Sequence, residues 1–486
     1  MNRDLARRYL NIGLDRLSKQ KRAWERRQDY FEGRQDLPYA PEGVNAEYEA
    51  LRVMSVANWI ELAMKAPIQR LHAEGFRTGR DGKADLTAWN EIWQPNMLDS
   101  RQVIVYQQMF IHGRGVMSVS PNSKDRKSPK IRPENAKRVW IEANPEDPFE
   151  PLFAVKTLEV EHPLSSGMSL PGVQQSRTEE VAYVYDDMSW TRFARFGGGL
   201  WAYSNEGDHN LGMLPFVNFD FNVDADGNPR PAIDKLMPQQ DAINTIRFNT
   251  LLAMQFSAFR QRVFTGYDPV VRDGDNNPVV KKGTDGKPEL DANGLQQPVT
   301  RSPGRVGVDR ALVFPGVDTK VYDLPESNLE NYISVLGQFL TDFFAIGQIP
   351  PQYALTKMAN LTGDGMAGAE STFQSLVEDI QTAAGEGLER VMRLANRARG
   401  EEFQDLSSEV IWADTEIRSF AQIVDAIGKL VASGMARKDA WSMLPGATPP
   451  KVNQWVSGSD AERDAMDFDM AALEAKVGGA NAELPT

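Results

Sequence analysis

Apolar residues recur at helical spacing over three long stretches in the second half of this 486-residue chain. Over 234–264, Leu236, Ile243, Ile246, Leu251, Met254, Phe256, Phe259 and Val263 form a wide stripe. It predicts a single helix about 40 Å long. Residues 266–307 are rich in Pro, Gly, Asp and Asn and read as an irregular excursion, with short strands expected at 279–280 and 311–314. Ser327-Asn328-Leu329-Glu330 matches a capping box and opens a second helix with Leu329, Ile333, Leu336, Phe339, Leu340, Phe343 and Ile346 on its apolar face. Gly347 and Pro350-Pro351 stop it, a loop runs to Gly368, and a third helix is expected over 369–399.

The first half patterns differently. Leu5, Tyr9, Ile12, Leu17, Trp24 and Phe31 predict a helix over 3–31, closed by Gly33. Its Arg7, Arg8, Arg16, Lys19, Lys21, Arg22, Arg26 and Arg27 read as a solvated face in preference to a nucleic-acid patch. Helices follow over 47–72, broken near Pro67, then over 86–93 and 101–112. Alternating segments over 116–120, 152–161, 181–185, 189–196, 200–203 and 216–221 predict an antiparallel meander, so this half reads as α+β. A strand at 409–413 and a helix pair over 419–433 and 438–443 follow. The polar, acidic end from Asp460 is expected to be disordered, and no repeat of fixed period is evident.

Composition narrows the chemistry. With no cysteine, disulfides, thiolate catalysis and Cys-based zinc sites are excluded, and the four histidines show no metal-ligand spacing. A net charge of −13 argues against wholesale phosphate neutralisation. No apolar run is long enough to span a bilayer. Gly363-Asp364-Gly365-Met366-Ala367-Gly368 fits GxGxxG, but a helix and a Pro-Pro loop precede it where the fingerprint needs a strand. No Gly-Lys pair is followed by Ser or Thr, so there is no Walker A loop. Asp224-Ala225-Asp226-Gly227 and 273–277 look like fragments of calcium loops but lack the remaining ligands, and turn chemistry explains them better. The reading is therefore of a non-enzyme without cofactor or metal, whose long apolar stripes need cover.

The order of segments resembles the portal (head-to-tail connector) proteins of tailed bacteriophages, in the branch common among phages of actinobacteria. The resemblance runs from about Arg26 to Asn453. It is carried by Tyr30-Phe31-Glu32-Gly33, Asn58, Arg70-Leu71-His72-Ala73-Glu74-Gly75-Phe76, Trp93 to Asp99, Tyr106 to Val119, Gln240-Asp241-Ala242-Ile243-Asn244, Arg262 to Gly266 and Pro350-Pro351-Gln352-Tyr353. Met117 stands where the family usually has an aromatic.

The resemblance implies a portal fold with an α/β wing at 1–230 and stem helices at 231–264 and 327–347. Between these it places a clip at 265–326. A tunnel loop at 348–368, a long inner helix and wing strand at 369–414, a crown at 415–460 and a tail at 461–486 complete it. It implies a ring, usually of twelve copies, forming a DNA channel at one capsid vertex of the virion, assembled in the host cytoplasm. The channel serves DNA packaging, retention and ejection and head-tail joining. The implied partners are sister copies, double-stranded DNA, the terminase large subunit, major capsid and scaffolding proteins and a head-tail adaptor, with no membrane. Thr356, Lys357 and Asn360 are expected to face DNA in the tunnel loop. Lys281, Lys282, Lys287, Arg301, Arg305 and Arg310 are expected to serve docking at the clip. Two other readings are a monomeric head-assembly adaptor or scaffold-like binding protein and a nucleotide-dependent enzyme using the GxGxxG segment.

Overall fold

The computed structural model describes residues 1–39, 46–79, 82–163, 176–258, 262–265, 270–284, 286–291, 293–300, 320–323, 328–350, 363–401, 405–413, 420–444, 447 and 451–459. In chain order the elements begin with helices α1 (Arg3–Phe31), α2 (Ala46–Ser55) and α3 (Trp59–Ile68), strand β1 (Ala73–Arg77), a π-helical turn (Ala88–Trp93) and helix α4 (Leu98–His112). Strands β2 (Arg114–Ser120), β3 (Lys130–Glu134), β4 (Val139–Asn144), β5 (Asp147–Pro163), β6 (Ser176–Tyr185), β7 (Ser189–Phe196), β8 (Ala202–Asp208) and β9 (Phe216–Asp220) follow. Then come helix α5 (Met237–Ala258), strands β10 (Arg262–Thr265) and β11 (Lys320–Asp323), helices α6 (Leu329–Gly347) and α7 (Gly363–Arg399), strand β12 (Glu409–Trp412) and helices α8 (Phe420–Ala432) and α9 (Arg437–Ser442).

The chain divides into two compact units. The larger comprises 1–38, 56–244 and 338–486. Strands β4-β5-β6-β7-β8 form the meander in sequential order, and β3-β2-β9 form a second sheet. Strand alternation sorts the residues between layers. Phe153, Val155, Ala182, Val184 and Phe193 face Ala6 and Leu10 of α1. Ala154 and Ile141 face Val116 and Phe216 of the smaller sheet. Phe219, on that sheet's other face, meets α7. The order is thus helix, sheet, sheet, helix.

Gly387 is what lets α7 lie on the sheet: a Cβ there would sit 2.5 Å from the Phe219 ring. In an exposed helix, Gly→Ala gains up to about 1 kcal/mol in backbone entropy. Here overpacking wins, and Gly387→Ala is expected to destabilise by about 2 kcal/mol in denaturant unfolding. Adding Phe219→Leu should recover part of that loss.

The motif around Trp93 acquires a physical basis. Trp93 Nε1 donates to Asp99 Oδ1 at 2.7 Å, and Gln94 donates to Asp99 Oδ2 at 2.9 Å. Buried Asn96 donates to the Ile92 and Pro129 carbonyls and accepts from the Ile131 amide, tying β3 to this turn.

Several expectations are corrected. In α1 the buried stripe is Ala6, Leu10, Gly13, Leu17, Trp24 and Tyr30, while Leu5 and Ile12 are exposed. Gly13 lets the helix approach Val155 closely, and Ala6 packs in the same cluster, which hydrophobicity counting does not register. The helix expected over 47–72 is broken at 56–58, and 73–77 is a strand paired with β12. Helix α5 ends at Ala258, so it is about 33 Å long. Arg262–Thr265 instead pairs antiparallel with Lys320–Asp323, because an apolar stripe alone cannot tell a helix end from a short strand with a distant partner. Helix α7 starts at Gly363, so the GxGxxG segment is helical. Three glycines in six residues hide this, and the packed remainder of a 37-residue helix sustains it. Helix 451–459 was not anticipated. The strand expected at 311–314 lies outside the described residues.

The smaller unit comprises 39–55 and 245–337. Within it, residues 270–300 form three like turns. Asp273, Gly283 and Asp291 donate through their amides to the carbonyls of Asn277, Lys287 and Leu295 at 2.8–2.9 Å. Each turn has a left-handed residue at the same place, Asn276, Gly286 or Gly294. Their arms close two rings of backbone hydrogen bonds, one through Val271, Val279 and Val299 and one through Lys281, Glu289 and Gln297. The turns start ten and then eight residues apart, so no fixed period shows. Asp273 Oδ1 accepts from the Asp275 and Asn277 amides, and Asp224 in the larger unit accepts from Asp226 and Asn228 in the same way. These carboxylates hold turns together.

Candidate functional site

A densely bonded polar site in the larger unit lies where α5 begins. Gln240 and Asn244 sit four residues apart on the same face as Leu236 and Ile243, and all four are buried, Gln240 at 0% and Asn244 at 1% exposure. Gln240 Nε2 donates to the Ala57 carbonyl at 2.5 Å and to Asn244 Oδ1 at 2.9 Å, and its Oε1 accepts from the Trp59 amide at 3.0 Å. Asn244 Oδ1 also accepts from the Ala57 amide at 3.1 Å. Two side-chain amides thus satisfy the backbone groups of Ala57 and Trp59 at the start of α3.

Further anchors converge on this junction. Asn58 caps α3 by accepting from the Glu61 amide, and it donates to the Phe31 carbonyl at the end of α1. Arg27 makes a two-bond pair with Asp234 at 2.7 and 2.8 Å, and the Tyr30 hydroxyl donates to Asp241 at 2.7 Å. The end of α6 reaches the same place, where Phe344 packs edge-on against Trp59 at 5.9 Å. Arg70, just past α3, donates twice to Glu370 of α7 at 3.1 Å and lies 4.6 Å over the Phe373 ring. The starts of α5 and α7 are therefore held on α1 and α3 by buried or half-buried polar groups, and the end of α6 by an aromatic contact.

His112, at the end of α4, is 4% exposed beside Trp24. Burial, reinforced by the Lys137 and Arg27 charges, pushes its pKa down to about 3. A helix C-terminus favours the cation by at most about 2 kcal/mol, so desolvation prevails.

Three of the expected site residues fall within the described residues. Lys281, Lys282 and Lys287 are exposed on the three-turn element. Arg301, Arg305, Arg310, Thr356, Lys357 and Asn360 lie outside the described residues. Among the described residues no group of three or more His, Cys, Asp or Glu could hold a metal, and no helix is long and apolar enough to cross a membrane. The junction itself was missed as a site. Its signal was present as two amide side chains, Gln240 and Asn244, set within an apolar stripe.

This junction roots long helices in a layered α/β body. The family described as "Phage portal protein, SPP1 Gp6-like" matches residues 13–465, and the chain belongs to it. The portal proteins of Mycobacterium phage L5 and Mycobacterium phage D29 are each 24% identical. The first match covers 81% of this chain and 76% of the relative, the second 88% and 83%. A chain from the neck of a native GTA particle, computed with C12 symmetry, is similar over 84% of this chain and 96% of its own, at 9% identity and a TM-score of 0.43. The chain functions as a phage portal protein, a structural component of the virion at the capsid.

Proposed function

We propose that twelve copies close into a ring around an axial channel for duplex DNA, with the wing, stem, clip, tunnel-loop and crown segments placed as the family resemblance implies. The carrying observation is the open apolar face of α6. Phe344 is buried, yet Ile333, eleven residues earlier and so on the same side of the helix, is 65% exposed. Sister copies supply the cover that this face lacks.

The outward side of α7 supports a low-friction bore, since exposed Glu378 and Glu386 on it repel phosphate, with Arg390 the exposed base beside them. Thr356, Lys357 and Asn360 would then be the polar contacts of the tunnel loop that hold packed DNA. Lys281, Lys282, Lys287, Arg301, Arg305 and Arg310 would meet acidic surfaces of the terminase large subunit and the head-tail adaptor. Capsid and scaffolding proteins complete the partner set, assembly takes place in the host cytoplasm, and the protein performs no catalysis of its own.

Mass photometry with negative-stain end views tests the ring. The expected particle weighs about 650 kDa, for twelve copies of 54.3 kDa, and has a central hole. A species that stays at one copy's mass at every concentration would refute it.

A further inference from the structure

The chain's charge is unevenly shared. Residues 1–34 hold ten basic and five acidic side chains, the remainder 44 and 62. Helix α1 uses several of its arginines within its own unit: Arg3 on Glu206, Arg7 on the Trp201 carbonyl, Arg16 on Glu142 and Arg27 on Asp234. Opposite the buried stripe lies a second face with Leu5, Arg8, Ile12, Lys19 and Arg22 at helical spacing. Leu5 and Ile12 are 39% and 41% exposed. Among the described residues, neither Arg8 nor Arg22 has an anion or hydrogen-bond partner.

A complementary surface lies on the same unit. Strand β5 outruns β4, whose pairing ends at Lys156, while its pairing with β6 continues to Pro163. By alternation, Glu159 and Glu161 on this arm point to the side of the sheet on which Phe153 and Val155 meet α1. Both glutamates are exposed, and among the described residues neither has a cation partner. The arm is thus an acidic continuation of the face that α1 covers.

We infer that the outward face of α1 in one copy docks on the Glu159–Glu161 arm of a second copy. The pairing is head to tail, since the two surfaces differ and lie on one unit, and such contacts generate rings. Guanidinium groups set among exposed aliphatic side chains match the make-up of protein interfaces, where Arg is enriched and Lys depleted. A duplex-binding stripe would not be interrupted by Asp15, which pairs with Lys19 at 2.7 Å.

The inference rests on the ring reading, and the experiment separates the two. Native mass spectrometry would follow ring assembly against concentration for the wild type, for Arg8→Glu/Arg22→Glu, for Glu159→Lys/Glu161→Lys and for all four changes together. Circular dichroism confirms that each variant is folded. Either double reversal is expected to raise the concentration for half assembly about tenfold, and the fourfold swap to restore most of it. Wild-type rings indifferent to both reversals would overturn this contact alone, as would a fourfold swap that restores nothing. Loss of duplex DNA binding on reversing Arg8 and Arg22, with assembly unchanged, would make α1 a nucleic-acid surface and also overturn it. A wild type that never forms rings would refute the assembly reading itself, and this contact with it.

Discussion

Gln240→Leu is expected to destabilise the protein by about 3 kcal/mol, although it keeps the side chain's volume and removes only its polar atoms. The loss arises on the partner side. The Ala57 carbonyl and the Trp59 amide would lose their bonds to Gln240, and Asn244 would lose a donor. What remains is the 3.1 Å bond between the Trp59 amide and the Ala57 carbonyl, and each of the three bonds lost costs about 1 kcal/mol because no water replaces it. Gln240→Ala should cost more, because a cavity adds to the same loss. Guanidinium unfolding measures the change. Hydrogen exchange should show faster exchange at 57 and 59 while β5 and β6 stay protected. A loss under about 1 kcal/mol for Gln240→Leu would mean that apolar packing, and not the amide pair, roots α5.

Acid should expose the second large effect. His112 binds a proton readily when unfolded, near pH 6.5, and only near pH 3 when folded. Its folded pKa is depressed, so the stability linked to it is complete above about pH 6.5. It is lost as pH falls through the window from 6.5 to 3, because the unfolded chain takes up the proton first. The slope is about 1.4 kcal/mol per pH unit, so about 2 kcal/mol disappears between pH 7 and pH 5. Carboxylates titrate in the lower part of this range, and the informative quantity is the difference from His112→Leu. That variant should be close to wild type at pH 7, since His112 Nδ1 has no hydrogen-bond partner to lose, and relatively more stable at pH 5. Parallel stability-against-pH curves for the two proteins would show that the imidazole is protonated in the fold.

Much of the fold was legible because it is written in local periodicity. Helix α1 over 3–31, strand β7 over 189–196 and the antiparallel meander follow from alternation, helical spacing and turn residues, which act between near neighbours. Three of the misses share one cause. Strands β1, β10 and β11 are short, and each is defined by a partner far along the chain. The opening of α7 runs through glycines whose intrinsic preference is against helix, and the packing of later turns overrides it. The inward face of α1 includes Gly13, whose place depends on closeness to Val155 and not on apolar bulk.

The sequence by itself determined the class of fold, the absence of cysteine chemistry and, through colinear motifs, the portal family. Each of these depends on residue type and order along the chain. Only the tertiary structure decided what Gln240, Asn244, Asn58 and His112 do, because a polar group's role depends on whether water or protein surrounds it. It alone decided, too, that α1 has one face committed to its own sheet and another left open. The physical reason is that burial and pairing are properties of surroundings assembled from distant parts of the chain, which spacing along the sequence does not encode.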